Sequence, residues 1–173
     1  MQTSKQKLAA WLGGVALLAS ATAFIVHGEG QVNKVYKDPI GVLTACVGET
    51  AYVVVPGDIK LGNTFTDGQC EAALYRSMWT HAEPVIRCTA PAVLTSGQKV
   101  AYLDFAFNVG GTNFCSSTMA RKARAGDVAG SCAEFYKWRF AGGIDCSSAQ
   151  GKRTCGGVWT RRSAEDKMCR GTP

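Results

Sequence analysis

Residues 27–50 read HGEGQVNKVYKDPIGVLTACVGET, and this charged, glycine-rich stretch begins directly after an uncharged apolar run, residues 8–26. Three side chains in the stretch are candidates for chemistry: the carboxylates of Glu29 and Asp38 and the hydroxyl of Thr44. Only His27 and Gly28 separate Glu29 from the apolar run. The fold and the function therefore depend on what the apolar run is and on what these three groups do.

Composition restricts the class of protein. Of the 173 residues, 46% are apolar and 18% are charged, which excludes a disordered chain. Residues 29–173 are long enough for one domain with its own core. The formal net charge of +6 favours a polyanionic partner, but it does not choose among nucleic acid, anionic lipid and an acidic cell envelope.

The N-terminal segment, residues 1–28, is predicted to be a signal-anchor. Lys5 and Lys7 precede the apolar run, a basic flank that is typical of an export signal with a cytoplasmic N-terminus. The run is long enough to span a bilayer, but its glycines, alanines and hydroxyl residues make its insertion weak. The chain after residue 26 is therefore expected on the far side of the inner membrane.

Two alternatives to an anchor remain open. A cleavable signal peptide is one, because residues 19–21 (ASA) and 21–23 (ATA) both match the small-x-small cleavage pattern. A buried core helix is the other, and the absence of an amphipathic period disfavours it.

The eight cysteines all follow the apolar run and indicate an oxidising compartment. None forms a Cys-x-x-Cys pair, and His27 and His81 are the only imidazoles, so neither a metal site nor a cofactor is expected. Four disulfides are predicted instead. The spacing supports only Cys146 with Cys155 as a local pair. The cysteines are Cys46, Cys70, Cys88, Cys115, Cys132, Cys146, Cys155 and Cys169.

Turn signals and short β-favouring pieces between residues 35 and 60 predict a small hairpin or meander. Helical signals dominate after that point. Thr66 and Gln69 form a capping box for a helix that runs to about Arg87.

A second capping box, Thr95 with Gln98, opens a helix that is apolar nearly all round and therefore buried, so its Asp104 needs a partner. Asp127 is predicted to cap a helix through about residue 140, and Thr160 to cap the last helix. The expected fold class is α+β, predominantly α.

Carboxylate hydrolysis is the chemistry that the residues leave open, because P-loop, G-x-S-x-G and H-E-x-x-H signatures are missing. A glycosidase needs one protonated carboxyl as the acid and a second group that places water. Apolar neighbours suit Glu29 to be the acid, while Asp38 is more solvated and ionised. The alternative assigns Glu29, Asp38 and Thr44 to ordinary solvated, turn and strand positions.

Residues 29–50 resemble the catalytic segment of the phage lysozyme family, glycoside hydrolase family 24. Two further blocks are similar to that family: FNVGGTNFCSSTMARKARAGD at residues 107–127, and WRFAGG followed by GGVWTRR at residues 138–162. The resemblance implies a lysozyme-like fold with a small N-terminal β-hairpin region and a helical C-terminal lobe. The implied activity is that of a muramidase, which hydrolyses the β-1,4 bond between N-acetylmuramic acid and N-acetylglucosamine in peptidoglycan.

The resemblance also implies roles for single residues. Glu29 is the general acid, while Asp38 and Thr44 hold the water or stabilise charge, with inversion at the anomeric carbon. Arg161 or Arg162 approaches Glu29. The positions that line the sugar cleft or support the acid are Phe107, Asn108 and Ser117.

The N-terminal segment resembles the signal-arrest-release segments of certain phage endolysins. This implies an enzyme tethered to the inner membrane and facing the periplasm, which is later released uncut as a monomer. Nucleic acid is not an expected partner, since the basic residues 120–126 lack interleaved aromatic side chains. An exported wall-binding protein without activity and a lytic transglycosylase are the alternatives.

Overall fold

The computed structural model describes residues 2–26, 32–38, 41–47, 49–50 and 60–172. The chain divides into two compact units, Met1–Ala82 and Glu83–Pro173. The expected class is confirmed, since helices dominate both units and the β-structure is small and antiparallel.

The elements follow in chain order. The first unit holds α1 (Ser4–Leu12), α2 (Val15–Val26), β1 (Val32–Lys37), β2 (Leu43–Cys46), β3 (Glu49–Thr50) and the start of α3 (Asp67–Thr89). The second holds α4 (Ser96–Val109), α5 (Gly111–Ser116), α6 (Thr118–Arg124), α7 (Val128–Ala133), a 3₁₀ helix (Glu134–Trp138), β4 (Phe140–Ala141), β5 (Ile144–Asp145) and α8 (Ala149–Arg170).

The apolar N-terminal run forms two helices instead of one. Thr3 and Gln6 make a capping box that starts α1, and Gly13 ends the helix with a left-handed φ of 108°. Within the described residues, no single helix is both long and apolar enough to cross a bilayer; α1 and α2 together reach that length and composition, with a bend of 103°.

Both N-terminal helices bury side chains in the first unit. The fully or almost fully buried residues are Leu8, Leu12, Leu18, Ala21 and Ile25. A buried core helix was the alternative that the lack of an amphipathic period disfavoured, and the structure shows these helices buried. The run is apolar or small on every face, so it packs well without a periodic pattern.

Polar contacts accompany this packing. Lys5 Nζ lies 3.0 Å from Glu71 Oε1 and 4.9 Å from the ring centroid of Tyr75. Lys7 Nζ lies 5.1 Å from the ring centroid of Trp79. The basic flank of the apolar run thus contacts one stripe of α3, whose residues 71, 75 and 79 follow the i, i+4 spacing of a helix face.

Strands β1, β2 and β3 form the antiparallel meander that the turn signals predicted. Tyr36 pairs with Thr44, and Lys37 with Leu43. The disulfide between Cys46 and Cys70 ties β2 to α3, with a Cα–Cα distance of 5.1 Å. The sheet is therefore anchored covalently to the long helix.

Both predicted capping boxes are present. Thr66 N donates to Gln69 Oε1 over 2.8 Å, and Gln69 N donates to Thr66 Oγ1 over 3.3 Å. The same pair of bonds joins Thr95 and Gln98 at the start of α4. Each box satisfies two backbone N–H groups that would otherwise lack partners at a helix start.

Helix α4 is the buried central helix of the second unit, as predicted. Tyr102 and Phe105 are fully buried and pack against Phe114 and Phe135, with ring centroids 5.6–6.4 Å apart. These tilted, stacked and edge-on contacts match the favoured geometries of aromatic pairs. The aromatic cluster forms the core of this unit.

Two predicted helix boundaries were wrong. Thr160 does not cap the last helix: α8 begins at Ala149, is capped by Ser148 and bends at Cys155, so Thr160 lies inside it and donates to the carbonyl of Gly156. The helix capped by Asp127 ends at residue 133 and continues as a 3₁₀ helix. The sequence at the start of α8 is rich in glycine. Because glycine normally weakens a helix, the sequence pattern did not predict the first turns of α8.

Four disulfides lie in the described residues. Cys146 pairs with Cys155, the local pair expected from the spacing, with a Cα–Cα distance of 5.2 Å. Cys88–Cys115 joins the end of α3 to α5, and Cys132–Cys169 joins α7 to α8. These pairings required the tertiary structure, since sequence spacing does not determine connectivity.

We expect Leu12→Ala to lower the free energy of unfolding of the protein by about 2–5 kcal/mol, because Leu12 is fully buried and the truncation leaves a cavity. Val15→Ala is the matched control on the next helix, since Val15 is 76% exposed and its loss should change stability by less than about 0.5 kcal/mol. Urea denaturation measures both, and equal effects would contradict the docked arrangement of the two helices.

Candidate functional site

The turn between β1 and β2 holds two of the predicted catalytic residues. Val42 N donates to Asp38 Oδ1 over 2.8 Å, and Asp38 N donates to Val42 O over 2.9 Å. Thr44 Oγ1 donates to the same Val42 oxygen over 3.2 Å. Asp38 and Thr44 are therefore anchored on the main chain of a single residue.

Local sequence explains this geometry. Gly41 has a left-handed φ of 86° and donates its N–H to the carbonyl of Asp38 over 2.9 Å, which closes the turn. The strand register places Thr44 opposite Tyr36, two residues before Asp38. The carboxylate and the hydroxyl thus lie at the same end of the hairpin.

The two side chains differ in burial. Thr44 is only 4% exposed, whereas Asp38 is half-buried. A half-buried carboxylate on a closed turn keeps access to water and stays fixed in position. Such a pair is suited to hold a water molecule through an acceptor and a hydroxyl.

Glu29, the predicted general acid, lies outside the described residues. Its role, its distance from Asp38 and its approach to either arginine remain predictions.

The second unit contains the predicted cleft residues. Phe107 and Asn108 lie in the last turns of α4; Phe107 is half-buried and Asn108 is exposed. Ser117 caps α6: its Oγ donates to Phe114 O over 2.6 Å and accepts from Ala120 N over 3.1 Å. The Ser117 hydroxyl therefore has a structural task in holding the start of a helix.

The two arginines of α8 have different partners. Arg161 pairs with Asp104, with Nε 3.0 Å from Oδ2 and Nη2 2.8 Å from Oδ1. This bidentate pair supplies the partner that buried Asp104 was predicted to need. Arg162 turns the other way, into the core, where Nη1 lies 3.0 Å from Glu165 Oε2.

Glu165 is a residue that the sequence patterns did not single out. It is fully buried, and Arg162 is 1% exposed. The i, i+3 spacing of the two residues is common on solvated helix faces, so spacing alone does not indicate a buried pair. Their burial follows from the position of α8 against α4.

Burial determines the ionisation of this pair. It raises the pKa of the Glu165 carboxyl well above the ordinary value, an effect that Arg162 opposes and nearby Asp104 reinforces. Burial likewise lowers the pKa of Arg162, which Glu165 and Asp104 oppose. Burial therefore favours the neutral form of each group, and the charge of the partner opposes that shift.

The described residues of each unit line a cavity. One of about 400 Å³ in the first unit is lined mainly by apolar residues, among them Val26, Val47 and Leu74. The other, of about 320 Å³, is in the second unit and includes Arg121 and Arg124. Across the described parts of the chain, no group of three His, Cys, Asp or Glu residues is placed to hold a metal ion.

Comparison with known proteins gives a consistent result. The model of the phage lysozyme family matches residues 26–165. The SAR-endolysin of bacteriophage PS119 is 35% identical over 169 residues, covering 94% of this chain and 90% of that protein. The SAR-endolysin of Escherichia phage Mu is 32% identical over 146 residues, with coverage of 82% and 80%.

Solved structures share the fold. The endolysin from Escherichia coli O157:H7 phage FAHEc1 matches with a TM-score of 0.69 and 22% identity, over 86% of this chain and 89% of that one. The muramidase domain of SpmX from Asticaccaulis excentricus matches with a TM-score of 0.69 and 21% identity, over 87% and 94%. The fold, the family match and the identity to these relatives agree: this chain is a glycoside hydrolase that belongs to the phage lysozyme family.

Proposed function

We propose that the protein is an endolysin that hydrolyses the β-1,4 bond between N-acetylmuramic acid and N-acetylglucosamine in peptidoglycan. The observation that carries this proposal is the anchoring of Asp38 and Thr44 on the main chain of Val42, in a chain of the phage lysozyme family. Relatives named SAR-endolysin and a fold neighbour named as a muramidase domain support the substrate class.

The proposed mechanism uses three groups. Glu29 donates a proton to the leaving glycosidic oxygen. Asp38 accepts a hydrogen bond from the attacking water and takes up its proton as the water oxygen bonds to the anomeric carbon and the glycosidic C–O bond breaks. The hydroxyl of Thr44 orients this water. Inversion requires the carboxyl groups of Glu29 and Asp38 to lie about 6.5–9.5 Å apart, which leaves room for that water.

The cleft residues extend this proposal. Phe107 provides an apolar surface for a sugar ring, and Asn108 provides a polar contact at the end of α4. Ser117 supports the cleft through its role as helix cap, which holds the start of α6 in place.

The first test of the mechanism is Glu29→Gln. We expect it to abolish the clearing of purified cell wall, because the amide cannot donate the proton that the leaving oxygen needs. Glu83→Gln removes an exposed carboxylate on α3 and should clear normally. Equal clearing by wild type and Glu29→Gln would overturn the acid assignment. Mass spectrometry of the products separates hydrolysis from a lytic transglycosylase, which leaves anhydro-muramoyl ends.

The second test separates the charge of Asp38 from its structural bond. Asp38→Asn keeps an oxygen for Val42 N, so we expect stability close to wild type and a loss of activity of about 10²–10⁴-fold. Asp38→Ala should lose comparable activity and about 0.5–1.5 kcal/mol of stability as well. Thermal melts and turbidity assays measure the two effects, and an active Asp38→Asn enzyme would contradict the role of the carboxylate.

We further propose that the N-terminal segment first tethers the enzyme to the inner membrane and is then released uncut to the periplasm. The docked α1 and α2 provide the support, because their buried leucines show that the apolar run fits a protein core. In the tethered form, Glu29 lies at the headgroups, away from its cleft. The membrane potential, negative inside, holds Lys5 and Lys7 at the cytoplasmic side.

Fractionation tests this release. After the potential is collapsed, we expect the activity to move from the membrane to the soluble fraction, with an intact mass that includes residues 1–28. A soluble, active form that begins at Phe24 would show cleavage and would contradict release of the uncut chain.

A further inference from the structure

The buried pair of Arg162 and Glu165 has no part in the mechanism above. Arg162 Nη1 lies 3.0 Å from Glu165 Oε2, and the centre of the Arg162 guanidinium lies 4.8 Å from the ring centroid of Phe105. Replacing a buried ion pair by apolar residues is often neutral or stabilising. Stability alone is therefore a weak reason for this arrangement, and its contacts point to a positional task.

The third contact of Arg162 is with a residue outside the core. Arg162 Nη2 donates to the side-chain oxygen Oδ1 of Asn108, which is exposed at the end of α4. A guanidinium has donors only, so the amide oxygen has to face it. The NH₂ group of Asn108 must then point away from Arg162.

The orientation of the Asn108 amide is fixed by contacts with buried residues. The charge of Glu165 and the ring of Phe105 hold the guanidinium without a hydrogen bond, and the guanidinium donates to the Asn108 oxygen. An asparagine on a free surface can turn its oxygen or its nitrogen outward, whereas this one presents a donor only. The consequence is a fixed hydrogen-bond donor at a position that the family resemblance assigns to the sugar cleft.

We propose that Arg162 is a positioning residue which, held by Glu165, orients Asn108 so that its NH₂ group donates to the carbonyl oxygen of an N-acetyl group of the glycan. The inference rests on the proposed function. It adds two points to that function. The enzyme recognises the acetamido carbonyl of the glycan, and Arg162 contributes to this recognition through Asn108.

The hydrogen-bonding chemistry of the acceptor explains why we propose an acetamido carbonyl and not a sugar hydroxyl. A sugar hydroxyl both donates and accepts, so it would be satisfied by either face of an amide. An acetamido carbonyl only accepts, so it gains fully from an amide that cannot turn. Both sugars of peptidoglycan carry an N-acetyl group, which makes this carbonyl available at every position along the strand.

Asn108→Asp tests the polarity of the contact. The variant has nearly the same shape, keeps an oxygen toward Arg162 and replaces the outward donor with an acceptor. We expect an unchanged thermal melt, a KM for soluble peptidoglycan strands raised about 10- to 100-fold and little change in kcat. A wild-type KM would overturn the proposal, because a hydroxyl partner would tolerate the carboxylate.

A second substrate separates the acetamido carbonyl from other acceptors. Chemically N-deacetylated strands carry ammonium groups in place of the acetamido groups. On these strands the KM of the wild type should no longer be lower than that of Asn108→Asp, and it should be equal or higher. An equal advantage on both substrates would overturn the carbonyl assignment. Absence of cleavage by the wild type on acetylated strands would instead contradict the proposed function itself.

A double-mutant cycle tests the role of Arg162. Arg162→Lys should raise the KM in the wild-type background but add little to Asn108→Asp, since the arginine acts through that amide. Additive effects of the two changes on KM would refute the positional role. If Arg162→Lys does not fold, the Asn108→Asp comparison on the two substrates still decides the assignment of the recognised group.

Discussion

The apolar surface of α4 is the constraint on which the second unit depends. Residues 100–106 of this helix are all buried, so other elements have to cover every side of it. Helix α8 covers one side and brings Arg161 to Asp104, the one carboxylate in that buried stretch. A charge in this buried stretch is tolerated only with a partner, and Arg161 of the basic helix α8 supplies it.

Main-chain and buried anchors hold the residues proposed for catalysis and binding. Asp38 and Thr44 share the backbone of Val42, and Asn108 is held by an arginine whose own position is fixed by Glu165. In both cases the functional group is secured by atoms that have little freedom of their own. Such preorganisation limits the loss of side-chain entropy when a substrate or a water molecule is bound.

The N-terminal run shows how one sequence suits two environments. Its leucines and alanines are apolar enough for a weak membrane segment, and the same side chains are buried in the first unit. Gly13 and Gly14 permit the docked arrangement, because their positive φ values allow the bend of 103° between α1 and α2. Composition therefore predicted the membrane segment, while the docked arrangement was visible only in three dimensions.

Local signals determined much of this protein from its sequence. The capping boxes at Thr66 and Thr95, the meander and the Cys146–Cys155 pair depend on residues close together in the chain, so local pattern was sufficient. The family blocks likewise indicated the class of enzyme. Tertiary structure alone decided the other three disulfides, the start of α8 at residue 149, and the path from Glu165 through Arg162 to Asn108. These features join residues far apart in sequence or depend on burial, and neither long-range contact nor burial of a charge can be inferred from spacing along the chain.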